Sequence, residues 1–338
     1  MKTMKQGTII DALERFSPLA WQEEYDNSGL QVGLFDGAGM PLGPEAEITG
    51  VLVCLDITEA VVDEAAARGC NLVVSHHPLI FRPLKNVSGT TYQQRCVAKA
   101  LCLGIALYAA HTNLDNASGG VSWEMAARLG LRDVRALVPS SGSGVIGVLP
   151  EAVPAEDFAR TLAAVFNAPH LRYCLPSAPS SASFPSVSSV GTALSSDRSH
   201  SDEADGRPLI RTVALCGGSG GEFIPDAIAA GADCYVTGEI RYHDYFEAEG
   251  RMLVALGHYE SEQYTIDLLA RKLQEIISQE STSPASLDQP SCATSEQLSA
   301  SLDQTSHSSL FEQLSGVSLG CDIPVLKTTL NTNPLKGL

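Results

Sequence analysis

Apolar positions along the chain follow two rhythms. From Met4 to Phe16 they recur at helical spacing and predict an opening helix. ITGVLVCLD at 48–56 is instead a short continuous apolar run, the mark of a strand buried on both faces. ITEAVVDEAAARG returns to helical spacing and stops on Gly69. NLVVS at 71–75 reads as a strand, TYQQRCVAKALCLG as a helix ending on Gly104, IALYAAH at 105–111 as a strand, and Val121 to Leu129 as a helix. Beyond a middle segment the alternation resumes. TVALCG at 212–217, ADCYVTG, MLVALGH and DIPVLKTTL predict strands, while FIPDAIAAG, YHDYFEAEG and SEQYTIDLLARKLQEII predict helices. Repeated βα units of this kind predict an α/β fold with helices covering mostly parallel or mixed sheets.

The two halves of this pattern resemble each other. AARGCNLVVSHH at 66–77 matches AIAAGADCYVTGE at 227–239, and IALYAAHTNLD at 105–115 matches MLVALGHYESE at 252–262. The second match sets His111 on His258 and Asp115 on Glu262. The chain therefore reads as two related βα halves forming one core, with polar residues delivered from strand ends, where sites of open α/β sheets gather.

Two stretches break the pattern. Residues 177–201 hold 11 Ser in 25 positions, and residues 278–315 hold 12 in 38, with ASLDQPS returning as ASLDQTS. Such polar segments bury too little apolar surface to offset ordering entropy. His200 and His307 fall in them and are set aside as ligands. The resulting organisation is an N-terminal core half at 1–140, a short middle segment at 141–176 and a Ser-rich linker at 177–206. A C-terminal core half at 207–277, a Ser-rich low-complexity insertion at 278–315 and a final strand and tail at 316–338 complete it.

The formal net charge of −17 argues against nonspecific binding to nucleic acid or to an anionic membrane surface. No apolar run is long enough to span a bilayer. The N-terminus has neither a signal-peptide core nor a cleavage site, so a cytoplasmic protein is expected. Nine cysteines without a CxxC pair read as free thiols in a reducing compartment.

The chemistry concentrates on histidines. His76 and His77 follow an apolar strand, and Pro78 holds His77 extended, so the two rings can reach a polar centre from different directions, one per metal ion. His111 with Asp115, and His258 with Glu262, leave two further strand ends. A lone histidine after a strand is more commonly a hydrogen-bonded structural residue. Four at strand ends, with two carboxylates at matched spacing, shift the balance to a metal site. Imidazole plus carboxylate suits Zn, Fe, Mn, Ni or Co and disfavours Ca. A carboxylate can also bridge two ions. Because the first His of each pair ends a strand, helical i,i+4 geometry is not expected within HTNLD or HYESE. His243 lies among aromatics and is placed near the site or in the rim with equal weight; His170 is read as structural or exposed. The run Gly217-Gly218-Ser219-Gly220-Gly221 is either an anion cradle or a plain turn. Asp26-Asn27-Ser28-Gly29 has clear turn chemistry and no function legible from spacing.

Taken in order, DNSGLQVG at 26–33, SHHPLIF at 75–81, HTNLD at 111–115, CGGSG at 216–220, TGE at 237–239, GHYESE at 257–262 and NTNP at 331–334 resemble the GTP cyclohydrolase 1 type 2 homologs, the NIF three-like dinuclear-metal proteins. The resemblance implies an α/β fold, a toroidal homohexamer and two divalent metal ions per chain. It implies His76, His77, Asp115, His258 and Glu262 as ligands, with Glu262 bridging and His111 as a ligand or an outer hydrogen-bond donor. Some longer relatives carry an inserted domain resembling the PII signalling protein; the gap around 177–201 is too short for one. The implied activity is metal-dependent hydrolysis of a nucleotide-like or phosphorylated small molecule, with His111 or Glu239 as proton carrier. The alternative is a non-catalytic metal-binding, metal-delivery or regulatory protein.

Overall fold

The computed structural model describes residues 3–176, 207–282 and 323–335. The Ser-rich linker and all but the first residues of the Ser-rich insertion, with His200 and His307, lie outside the described residues. In chain order the elements are β1 (Met4–Lys5), α1 (Gln6–Phe16), β2 (Gly29–Val32), β3 (Glu47–Ile48), β4 (Val51–Cys54), α2 (Glu59–Ala67), β5 (Leu72–Ser75), α3 (Tyr92–Leu103) and β6 (Ala106–Ala109). There follow α4 (Thr112–Asp115), α5 (Val121–Arg128), β7 (Arg132–Ala136), β8 (Val145–Pro154), α6 (Ala155–Val165), β9 (Arg172–Cys174) and β10 (Leu209–Cys216). The last are α7 (Ile224–Ala229), β11 (Cys234–Thr237), β12 (Met252–Ala255), α8 (His258–Glu262), α9 (Thr265–Thr282) and β13 (Val325–Lys327).

The fold is mixed α/β, built on two mixed sheets. The first runs β13-β4-β5-β6-β2, with β2 antiparallel and the other pairings parallel. The second runs β7-β8-β10-β11-β12-β9; β10, β11 and β12 are parallel and the flanking pairings antiparallel. Strands β8 and β9, from the middle segment, are thus members of the second sheet. The pleat sorts side chains by parity. Val51, Val53, Leu72 and Val74 face a core shared with Val213, Leu215, Val236 and Val254 of the second sheet and with helices α1, α5 and α9. Leu52, Val73 and Leu107 face α2 and α3 on the outer side of the first sheet. Ala214, Tyr235 and Leu253 face α7 outside the second. Strands covered on both faces must be apolar throughout, which is why VLVC, LVVS and MLVA carry no alternation; all are fully buried.

Local signals account for the helix ends. Thr58 and Thr91 cap α2 and α3 by accepting hydrogen bonds from the amides of Val61 and Gln94. Gly104 ends α3 at φ 63°, a left-handed conformation that glycine adopts without strain. Three expectations need correction. The 48–56 run is broken after Ile48: Gly50 packs against Cys70, where a Cβ would crowd the thiol at 3.1 Å, and pairing restarts at Val51. Residues Tyr242–Glu247 form a 3₁₀ helix, not an α-helix, stapled by Asp244 accepting from the Arg241 amide. Strand β12 stops at Ala255, and His258 already belongs to α8. Among the described residues no helix is long and apolar enough to cross a membrane, and the described cysteines are free thiols.

Candidate metal centre

The parallel strands of the two sheets end facing one another. Past β5 the backbone continues along β4, His76 and His77 donating their amides to the carbonyls of Cys54 and Leu55. Past β6, His111 precedes α4 and Asp115 ends it. Past β12, Gly257 turns the chain at φ 108°, and α8 begins on His258 and ends on Glu262. His258 and Glu262 therefore lie on one helical face at i,i+4, contrary to the expectation for HYESE; their Nε2 and Oε2 atoms are 3.2 Å apart.

Glu262 is the meeting point. It is 3% exposed, and its two oxygens face different groups. Oε2 lies 2.9 Å from His77 Nε2 and 3.2 Å from His258 Nε2, with those two nitrogens 3.4 Å apart. Oε1 lies 3.5 Å from His76 Nε2, which is itself 3.7 Å from Asp115 Oδ1. His76, His77 and Glu262 could hold a metal ion, their ligand atoms falling within 4.8 Å of one another. His76 Nε2 and Asp115 Oδ1 are buried without a hydrogen-bond partner. Two such orphans, side by side in a packed protein, are costly unless a further group satisfies both, and a cation suits a lone-pair nitrogen beside a carboxylate oxygen.

The other nitrogen of each ring is already occupied. His76 Nδ1 meets the Ala110 carbonyl at 2.7 Å and His77 Nδ1 meets Asp56 at 2.7 Å. His111 Nδ1 meets Asp26 at 2.7 Å and His258 Nδ1 meets Glu239 at 3.2 Å. An acceptor on Nδ1 fixes the tautomer that leaves the Nε2 lone pair free, the arrangement found behind metal-bound imidazoles. Sequence reasoning missed Asp26 and Asp56 in this role. Asp26 also accepts from the Thr112 amide and hydroxyl and from Ser28 Oγ. The only available signal was an Asp in a turn at DNSG, which has an ordinary explanation.

The electrostatics show Glu262 and the imidazoles around it holding each other charged. Burial alone would raise the Glu262 carboxyl, but His76, His258 and His77 outweigh it and hold it well below the carboxylate range. Burial alone would lower His77; its bonds to Asp56 and Glu262 win and push it up to about 10. Burial and the charge of Glu262 raise Asp115. Metal ions entering here would replace those protons as the countercharge.

The glycine run serves the same carboxylate. A Cβ on Gly218, whose φ is 62°, would collide with Glu262 Oε1, and one on Gly217 would meet Val121 at 2.8 Å. Two of its amides are committed internally, Gly218 to Ser261 Oγ and Gly220 to Thr237 Oγ1. The run serves as a close-approach segment. His243 lies among aromatics on the exposed 3₁₀ helix, edge-on to Tyr242 and tilted against Phe246. His170 lines a separate groove behind α8. Beside the centre opens a pocket of about 230 Å³, lined by His111, Asp115, His258 and Glu262 together with Glu23, Tyr25, Phe81 and Glu222.

Two mixed sheets with an imidazole–carboxylate cluster at their facing strand ends define an α/β protein with a candidate metal centre. The profile of the Duf34/NIF3 (NGG1p interacting factor 3) family matches residues 4–285, and the chain belongs to this family. Among its relatives is a GTP cyclohydrolase 1 type 2 homolog of Lactococcus lactis, 33% identical over 83% of this chain and 98% of that one. Another, of Streptococcus pneumoniae, is 32% identical over 76% and 85%. Among solved structures, a Staphylococcus aureus hypothetical protein, SA1388, superposes with a TM-score of 0.71 at 23% identity over 99% of both chains. A Bacillus cereus protein related to NIF3 gives 0.70 at 20% over the whole of both. These two likenesses concern the fold.

Proposed function

We propose that the chain binds two divalent ions between its sheets and is a metal-dependent hydrolase of a small molecule. The observation that carries this reading is the division of Glu262: Oε1 with His76 and Asp115, Oε2 with His77 and His258. Each oxygen defines one ligand group, and the carboxylate between them would bridge a pair of ions such as Zn, Fe, Mn, Ni or Co. Ions bound by these residues would supply Lewis-acid chemistry, lowering the pKa of water and polarising a substrate oxygen. His111 then holds or moves a proton at its Nε2, since Asp26 occupies Nδ1. Glu239 sits on the outer nitrogen of His258, where it orients that ring and accepts its proton. The open pocket beside the centre favours catalysis over metal storage or delivery, which needs no substrate space. The reading includes the toroidal homohexamer and the cytoplasmic location implied by the family resemblance.

His111→Asn tests the catalytic part. Metal content and hydrolysis of a substrate panel are measured on one preparation. The expected outcome is full metal with turnover lost by about 100-fold or more. Full metal with unchanged turnover removes His111 from the chemistry, and loss of one ion makes it a ligand.

A further inference from the structure

The pocket beside the centre has a composition that bears on what enters it. Tyr25 and Phe81 meet edge-on, ring centroids 6.3 Å apart at 64°, and form an aromatic corner. Phe81 is in turn edge-on to His111 at 6.1 Å. Both remain exposed, Tyr25 by 62% and Phe81 by 40%. Large apolar rings left open beside a polar centre offer a face to a flat ligand.

The charged groups around this corner are of one sign. Glu23 and Glu222 line the pocket, and no Lys or Arg does so among the described residues. Asp115 and Glu262 would be neutralised by bound ions, but Glu23 and Glu222 take no part in the ligand set. Behind the imidazoles stand Asp26, Asp56 and Glu239. Two divalent ions supply four positive charges against these seven carboxylates, so negative charge remains in excess. The Tyr25 phenol registers the field: burial, Glu23 and Glu222 push it up to about 12. The Gly218 and Gly220 amides do not offset this, because they spend their N–H groups on Ser261 and Thr237. The adjoining groove carries Arg172 and Arg241 but also Glu222, Glu239 and Asp244, and Arg241 leans on Asp244.

We infer that this pocket selects a flat, uncharged or cationic ligand bearing amidine- or amino-type N–H groups, and disfavours phosphorylated ones. The inference rests on the reading that the pocket beside the metal centre is the substrate site, and it narrows that substrate class. The ring lies against Tyr25 or Phe81, and its N–H edge donates to Glu23 or Glu222, a pairing in which a carboxylate accepts two parallel bonds. A phosphate tail lying along this wall meets Glu23 and Glu222, a like-charge contact where the two ions leave negative charge in excess.

Three ligands of one ring and different charge test this: benzamidine, benzamide and phenyl phosphate, titrated into the metal-loaded full-length protein by calorimetry. Benzamidine is expected to bind at least about 10-fold more tightly than phenyl phosphate, with benzamide between. In Glu23→Gln/Glu222→Gln that gap should shrink to about threefold or less, with metal content unchanged. Phenyl phosphate binding as tightly as benzamidine, no benzamidine binding at millimolar concentration, or an unchanged gap in the double variant overturns the inference. Removing the ions leaves Glu23 and Glu222 in place, so the same order holds in metal-free protein. A failure to bind metal would therefore defeat the metal-centre reading and leave this test standing.

Discussion

The two halves reach the centre through matched strand ends but bring different things to it. The first sheet sends three imidazoles and Asp115. His76 is wholly buried and tied to a backbone carbonyl, while His77 and His111 lean on the carboxylates of Asp56 and Asp26. The second sheet sends one imidazole and the shared carboxylate. His258 keeps 39% of its side chain exposed and leans on Glu239, itself 57% exposed, while Glu262 is buried. The corresponding end of β11, where β5 has its two histidines, carries Gly238 and Glu239. A Cβ on Gly238 would clash with Ser261 Oγ at 2.6 Å, so this end makes room for α8 instead of contributing a ring. His76 is dry and anchored, whereas Asp115 and His77 are partly exposed and His258 is the most open. Under the two-ion proposal, the ion on His76 would be the inner one, held more firmly, and the ion on His258 the outer one, exchanged more readily.

The largest effect should separate these two sites. His76→Ala is expected to weaken metal binding at least about 10-fold more than His258→Ala, and the His258 variant should keep one slowly exchanging ion. Chelator-competition kinetics with metal analysis reads both numbers. Equal losses would abolish the distinction between an inner and an outer site.

A smaller effect is expected at the acceptors. Asp26→Asn removes the charge behind His111 and should lower turnover by about 10–100-fold while both ions stay bound. Glu239→Gln, behind the exposed ring of the other half, should cost less, because solvent can take over its hydrogen bond. Comparing the two rates on preparations of equal metal content sharpens the contrast; a larger loss at Glu239 reverses it.

The smallest concerns the edge of the first sheet. Glu64 on α2 accepts from the hydroxyls of Thr328 and Thr329 and from the Thr329 amide, and pairs with Arg68, tying the segment after β13 to the core. Burial would raise its carboxyl, but these partners win and hold it below its ordinary value of 4.5. The folded state therefore binds this proton less readily than the unfolded one. The tether stabilises fully above about pH 4.5 and is lost as the pH falls through the lower folded value. Glu64→Gln should cost about 1–3 kcal/mol at neutral pH and flatten the acid limb of stability, read by urea denaturation. An unchanged acid limb would show that the tether carries no such stability.

The α/β alternation was legible because buried parallel strands must be apolar throughout and their helices must end on Gly69 or Gly104. His111 with Asp115 and His258 with Glu262 were legible because the halves repeat them after strands, and His76 and His77 because they stand side by side past an apolar strand. The acceptors behind the rings were not. Asp26 is 85 residues from His111 and Asp56 is 21 from His77, and neither stands at a spacing that local geometry interprets. The helical pairing of His258 with Glu262 was missed for a related reason: β12 yields to α8 at Gly257, and a strand-like apolar run does not mark where its last pairing falls.

Whether Glu262 joins two ions is read most directly by loading the protein with Mn(II). Ions about 3.5–4 Å apart couple magnetically. Wild type at saturation should show two Mn per chain and an exchange-coupled electron paramagnetic resonance spectrum, and Glu262→Gln should lose the coupling together with at least one ion. A saturated wild type showing only isolated Mn signals, or a Glu262→Gln variant that keeps two coupled ions, would contradict the account.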